Sequence, residues 1–285
     1  MRKPLIAVLL ISSLFAPIQF ASADEDSSSK KLVLAKTING AIAPKSVLAS
    51  NQGLVSAHNM MYRHSVTIYD AQSLELKATV ADSVDLSKYG YTKYSGEYKG
   101  APVEGAFSPD GKYLYFTNYA MYGKGFNKEG HDTCSPASGF DTSFLSRIDL
   151  DSYKIDAVYP VGSVPKVVKV TPDNKYILVT NWCSYTVTVI SIESGKTVKS
   201  IKIGRYPRGI AITQDSQYAY VAEMGGSNIH RINLNDFTKT LIPVGSNPRA
   251  IVLSPDESKL YVTMNLSGKV QAWDLLNNKT IKSVK

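Results

Sequence analysis

Four cations occupy one recurring position in this chain: Lys45, Lys166, Arg208 and Arg249, each directly after a proline. Positive side chains gathered at a partly desolvated mouth attract carboxylates and phosphates, so the pattern points to a small anionic ligand. One further copy breaks the series with Val103 and Glu104 after Pro102. The competing expectation is that these cations pair with carboxylates or carbonyls of neighbouring segments. A second chemistry comes from imidazoles, which serve as general bases or metal ligands. His58, His64 and His131, with Asp132, fall in expected loops, and His230 begins a strand. No HExxH, His-x-His or Gly-x-Ser-x-Gly spacing accompanies them, and Cys-x-x-Cys-His is absent, so no metal or haem cofactor is expected. A third possibility lies in Tyr89, Tyr91, Tyr94 and Tyr98, interleaved with Lys88, Lys93 and Lys99. Such rings and cations stack on sugars or single-stranded nucleic acid, or else pack as a Tyr-rich loop over the fold.

The elements that position these residues recur. Val161-Gly162-Ser163-Val164-Pro165, Ile203-Gly204-Arg205-Tyr206-Pro207 and Val244-Gly245-Ser246-Asn247-Pro248 align, and each leads into strand, turn, strand. The turns are Pro172-Asp173-Asn174, Gln214-Asp215-Ser216 and Pro255-Asp256-Glu257, with an earlier copy at Pro109-Asp110-Gly111. Anchor prolines stand at 44, 102, 165, 207 and 248. A third and fourth strand complete each unit, as at residues 186–192 and 197–203. In the first strand, large residues (Val168 and Val170, Ile210 and Ile212, Ile251 and Leu253) alternate with smaller ones such as Gly209, Ala211 and Ala250. Four short antiparallel strands per unit, bulky on one face and slim on the other, specify an all-β propeller whose blades pack face to face. Five repeats are visible. Residues 32–38 are expected to form an outer fourth strand, as are residues 280–285, so either the ring is small, the arc is open or the sequence stops short; the propeller domain is assigned to residues 32–285.

Strand direction puts the linker between blades and the loop between strands two and three on one face, the top. Both insertions, residues 81–100 and 119–144, fall there, as do Asn181, Trp182 and Glu223. Long loops on one side of a rigid scaffold carry function. Cys134 lies in the second insertion and Cys183 in the matching loop of the next blade. A disulfide is expected, with two free thiols or a metal pair as alternatives.

At Leu114-Tyr115-Phe116-Thr117-Asn118, Leu178-Val179-Thr180-Asn181 and Tyr261-Val262-Thr263 the chain resembles the YVTN-type β-propeller repeat proteins. The resemblance implies a secreted or cell-surface bacterial or archaeal protein, related in shape to lactonase-type and haem d1 propellers. Glu223 and Met264 replace the terminal Asn in the last two copies.

Composition and targeting set the compartment. At 285 residues, 44% hydrophobic and 20% charged, the chain is an ordinary globular one rather than disordered, collagen-like or disulfide-rich. Arg2 and Lys3, the apolar residues 5–15 and Ala21-Ser22-Ala23 read as a signal peptide over 1–23, followed by a flexible leader at 24–31. No second run of membrane length follows, so the expected site is secreted, periplasmic or cell-surface. Cleavage removes two positive charges from the formal +8. That is no concentrated basic footprint, and nucleic acid is not an expected partner. These readings make the chain an exported, non-catalytic scaffold that binds a small anion, an envelope polymer or a protein through its top face. The alternative is a lactonase-like hydrolase or isomerase in which Arg208 or Arg249 polarises a carbonyl and Glu104 or a histidine is the base.

Overall fold

The computed structural model describes residues 32–285; the signal peptide expected over 1–23 and the leader expected over 24–31 lie outside the described residues. Residues 32–38 form no strand, contrary to the outer strand expected there, and the compact unit that holds every blade begins at Asn39.

The unit is all-β, with five antiparallel sheets in which each strand pairs with its sequence neighbour. Blade 1 holds Ser46–Ala49, Leu54–Asn59, Ser65–Asp70 and Leu76–Ala81. Blade 2 holds Ser83–Val84, Tyr98–Phe107, Tyr113–Tyr122, Ser143–Asp149 and Lys154–Val161. Blade 3 holds Pro165–Val170, Tyr176–Asn181, Thr186–Ser191 and Thr197–Lys202. Blade 4 holds Pro207–Ile212, Tyr218–Glu223, Asn228–Asn233 and Lys239–Pro243, and blade 5 holds Pro248–Leu253, Lys259–Met264, Lys269–Asp274 and Lys279–Val284. Blade 2 departs from the four-strand plan. The two segments expected as loops contribute a fifth strand and extend the Tyr98–Phe107/Tyr113–Tyr122 ladder as far as Lys99 opposite Tyr122.

The core lies between blades. Alternation sends one set of side chains forward to the next blade and the other set back to the preceding one. In blade 3 the forward set is Leu178, Val187 and Ile201, which meets Ile210, Val221 and Ile232 of blade 4. In blade 4 it is Ala211, Tyr220, Ile229 and Ile242, which meets Ile251, Val262 and Trp273 of blade 5. The same positions in blade 5 are Val252, Tyr261, Val270 and Val284, and these are 59%, 40%, 47% and 57% exposed.

Turn chemistry fixes both ends of each first strand. In the bottom turn, Asp173 Oδ1 accepts the Thr171 hydroxyl at 2.5 Å and the Lys175 N–H at 3.1 Å. The next residue, Asn174, takes a left-handed φ of 58°. At the top, the residue before the anchor proline is also left-handed: Val164 (52°), Tyr206 (59°) and Asn247 (58°). This strained geometry turns its carbonyl toward the loop after the second strand. There it accepts the N–H of Trp182 (3.0 Å), Met224 (3.1 Å) and Asn265 (2.9 Å), respectively.

Candidate functional site: a cationic mouth at the top of the propeller

Two residues of the repeat motif set the blades against one another. The hydroxyl of Thr117 donates to the Lys166 carbonyl of the next blade at 2.7 Å, and that of Thr180 donates to the Arg208 carbonyl at 3.1 Å. These acceptors are the residues just after the anchor prolines, so the motif threonines place the cation-bearing backbone directly. The following Asn ties the linker down. Asn181 Oδ1 accepts the Gly162 N–H at 2.9 Å, while its amide donates to Thr186 and Thr188 at 3.1 and 2.9 Å. In blade 4, Glu223 takes that place, accepting the Arg205 N–H at 3.2 Å and pairing with His230 Nε2 at 3.1 Å. Asn181 and Glu223 are therefore structural latches at strand ends.

The latched cations share one electrostatic neighbourhood. Lys166, 8% exposed at its side chain, pairs with Asp132 Oδ1 at 3.0 Å, whereas the Asp132 side chain is 76% exposed. The Lys166 ammonium lies over the rings of Tyr119 (4.4 Å) and Trp182 (5.3 Å). Burial pulls its pKa below the ordinary lysine value; Asp132 opposes this, and the nearby Arg208 and Lys45 charges add to it. Partial burial pushes the Asp132 carboxyl up, but the Lys166 hydrogen bond and the charges of Lys166, Lys45 and Arg208 prevail and hold it below the carboxylate range. Arg208 Nη2 donates to Glu104 Oε1 at 3.2 Å, and its Nη1 is buried without a hydrogen-bond partner. Burial lowers the Arg208 pKa against the pull of Glu104, and the adjacent Arg249 charge lowers it further. Beside this cluster lies a cavity of about 550 Å³ lined by Glu104, Lys169, Arg208, Arg249 and Lys269 among others.

The structure thus brings together Lys45, Glu104, Lys166, Arg208 and Arg249. The pairing expectation holds for Lys166 and Arg208; among the described residues, no carboxylate lies within ion-pair distance of Lys45 or Arg249. Asp132, assigned above only to a loop, joins the cluster. It is carried there by the Cys134–Cys183 disulfide, with Cα atoms 5.4 Å apart across neighbouring blades. The Trp182 indole N–H donates to the Asp132 carbonyl at 3.0 Å, and Tyr185 Oη–H donates to Cys134 O at 2.6 Å. A covalent closure over 49 residues removes roughly 4 kcal/mol of chain entropy from the unfolded state.

The histidines do not assemble. His58 is not in a loop but is fully buried in the second strand of blade 1, at the position of the motif threonine. Its Nδ1 lies 3.0 Å from Ser46 Oγ, whose hydroxyl donates to the Val103 carbonyl at 2.6 Å, so a His–Ser pair replaces the threonine latch. Burial pulls the His58 pKa down to about 4. His64 Nδ1 lies 2.7 Å from the Gly100 carbonyl, and His131 packs edge-on against Phe140 at 4.9 Å. His230 is latched to Glu223 in blade 4, and burial lowers its pKa despite that partner. The tyrosines pack inward rather than offering open stacking faces. Tyr94 stacks on Phe126 at 4.9 Å, Tyr91 meets Phe144 edge-on at 5.0 Å, and the Tyr89 hydroxyl donates to the Ile155 carbonyl at 2.9 Å.

The sequence reading missed three contributors: Tyr119, Lys169 and Lys269. Lys169 had a signal, because a lysine occupies the fourth position after an anchor proline where other copies place Ala106, Ala211 or Val252. Lys269 opens a third strand and Tyr119 follows the motif Asn; neither stands out by type or spacing.

Known proteins resemble this chain in fold. A family model described as a YNCE-like beta-propeller matches residues 137–219. Antigen Lp49 of Leptospira interrogans serogroup Icterohaemorrhagiae is 29% identical over 133 residues, 43% of this chain. The match spans 29% of that antigen's own length. Among solved structures, Kuenenia stuttgartiensis hydrazine synthase superposes with a TM-score of 0.50 at 17% identity, covering 89% of this chain and 90% of that one. Dihydro-heme d1 dehydrogenase NirN in complex with DHE gives a TM-score of 0.57 at 17% identity, over 85% of this chain and 44% of that one. At such identity these two matches speak for the fold alone.

Proposed function

We propose that this chain, a YVTN-type β-propeller repeat protein, is an extracytoplasmic binding scaffold whose cationic mouth receives a small anionic ligand without catalysing its conversion. One observation carries the reading. Lys45, Lys166, Arg208 and Arg249 converge where Asp132 and Glu104 are the facing carboxylates, so at least two positive charges stand uncompensated beside a cavity of about 550 Å³ that Lys169 and Lys269 also line. Partly desolvated cations of this kind hold carboxylate or phosphate oxygens more strongly than exposed ones do. The Cys134–Cys183 bridge supports an oxidising compartment, as expected of an exported protein. Glu104, the base of the alternative hydrolase reading, is engaged by Arg208, and His58 is sealed inside blade 1.

A panel of lactones, phosphate esters and dicarboxylates separates the two readings when binding and turnover are recorded together. Saturable binding of anions without product supports the scaffold. Turnover that disappears in the Arg208→Ala/Arg249→Ala double variant overturns it in favour of the enzyme.

A further inference from the structure

Resting on the reading of the mouth as an anion site, we infer that the site selects a dianion, and that the Asp132 carboxylate is an internal stand-in which such a ligand displaces from Lys166. The geometry separates a fixed backbone from a free side chain. The Asp132 carbonyl is held by the Trp182 indole, the neighbouring His131 carbonyl lies 3.4 Å from Cys183 Sγ, and the disulfide follows two residues later. The Asp132 side chain, by contrast, is 76% exposed. Its carboxylate leaves Lys166 by rotating about its own bonds, with no rearrangement of the insertion.

Lys166 cannot stay vacant afterwards. Its side chain is 8% exposed and walled by Tyr119 and Trp182. A buried ammonium stripped of its counter-ion is costly, so departure of Asp132 is coupled to arrival of another anionic oxygen. The excess of positive charge favours a newcomer that carries more than one negative charge. With Asp132 in place, Lys45, Lys166, Arg208 and Arg249 exceed the carboxylates by two, and with Asp132 swung out they exceed Glu104 by three, before Lys169 and Lys269 of the adjoining cavity add two more. A monoanion merely replaces Asp132, whereas a dianion replaces it and also reaches the excess charge. Arg249, Lys169 and Lys269 line the adjoining cavity, where the second anionic group is accommodated.

The test is calorimetric titration of succinate, inorganic phosphate and acetate into the full mature chain, its Asp132→Asn variant and a second variant, Asp132→Ser. Near-UV dichroism confirms that the variants keep their packing. The expected result is that succinate and phosphate bind about tenfold or more tighter than acetate. Both Asp132 variants then bind succinate about tenfold tighter than the unaltered chain, because the internal competitor is gone. Equal affinity for succinate and acetate, or unchanged or weaker succinate binding in both variants, overturns the inference while leaving an anion site in place. No binding of any of the three anions to any of the three proteins overturns the anion reading itself.

Discussion

The Thr180 hydroxyl of blade 3 donates to the carbonyl of Arg208 in blade 4, 3.1 Å away. A residue that reads as strand filler in the repeat motif thereby sets the position of a cation in the mouth. Thr117 does the same for Lys166, and in blade 1 the Ser46 hydroxyl reaches the Val103 carbonyl instead.

Removing these latches loosens the blade order. Thr180→Val keeps the shape but deletes both the bond to the Arg208 carbonyl and the one accepted from the Val167 N–H at 3.0 Å, with an expected cost of about 2 kcal/mol in urea unfolding. Asn181→Ala deletes three hydrogen bonds of a fully buried amide and is expected to cost about 3 kcal/mol. A loss well under 1 kcal/mol in either variant would contradict its role as a latch.

Asp82 makes stability fall with rising pH. Burial lifts its pKa to about 8, against the Asn118 side chain beside it, and both carboxylate oxygens lack hydrogen-bond partners. Its folded pKa lies above the unfolded value, so its contribution is whole below about pH 4 and is lost as pH rises toward 8. Relative to the unaltered chain, Asp82→Asn is expected to gain up to about 4 kcal/mol between pH 4 and 7, read from denaturant midpoints at each pH. A difference that does not change with pH would show Asp82 to be ionised in the fold.

His58 acts at the acid end. Its folded pKa near 4 lies below the unfolded value of about 6.5, so the unfolded chain takes up the proton first and stability declines as pH falls between those values. The size is roughly 3 kcal/mol. His58→Thr, which restores the latch residue of the other copies, is expected to flatten this decline whatever its effect at neutral pH. An unchanged slope would refute the assignment.

Tyr220 and Tyr261 occupy the same position in successive blades, yet Tyr220 is 5% exposed and Tyr261 is 40% exposed. Truncation of Tyr220 to Ala is expected to cost about 3–4 kcal/mol and that of Tyr261 about half as much or less, by thermal or urea unfolding. Matching costs would mean that the forward face of blade 5 is covered in solution.

The repeat period, the alternation within first strands and the turn residues were enough to read the blades from sequence, because each is a local signal repeated at nearly fixed spacing. The cation series and the Cys134–Cys183 pair followed from the same alignment once strand direction was assigned. What escaped was three-dimensional detail inside the insertions. Residues 81–100 and 119–144 lack a repeat partner, so neither the extra Ser83–Val84 strand nor the inward packing of Tyr94 on Phe126 leaves a periodic trace. His58 lies in a copy without the Pro-Asp turn that marks the second strand elsewhere, so its strand leaves no turn signal in the sequence. Asp132 joins Lys166 only through the bridge and Trp182, a contact that no spacing announces.

Arg249 gives the cleanest access to the central claim, because it lines the cavity without engaging a carboxylate among the described residues. Titration of inorganic phosphate at low and at raised salt should show saturable binding that weakens with salt, with about a tenfold or greater loss in Arg249→Ala and partial recovery in Arg249→Lys. Phosphate affinity identical in the unaltered chain and in Arg249→Ala would contradict the assignment of this mouth as the place where ligand is held.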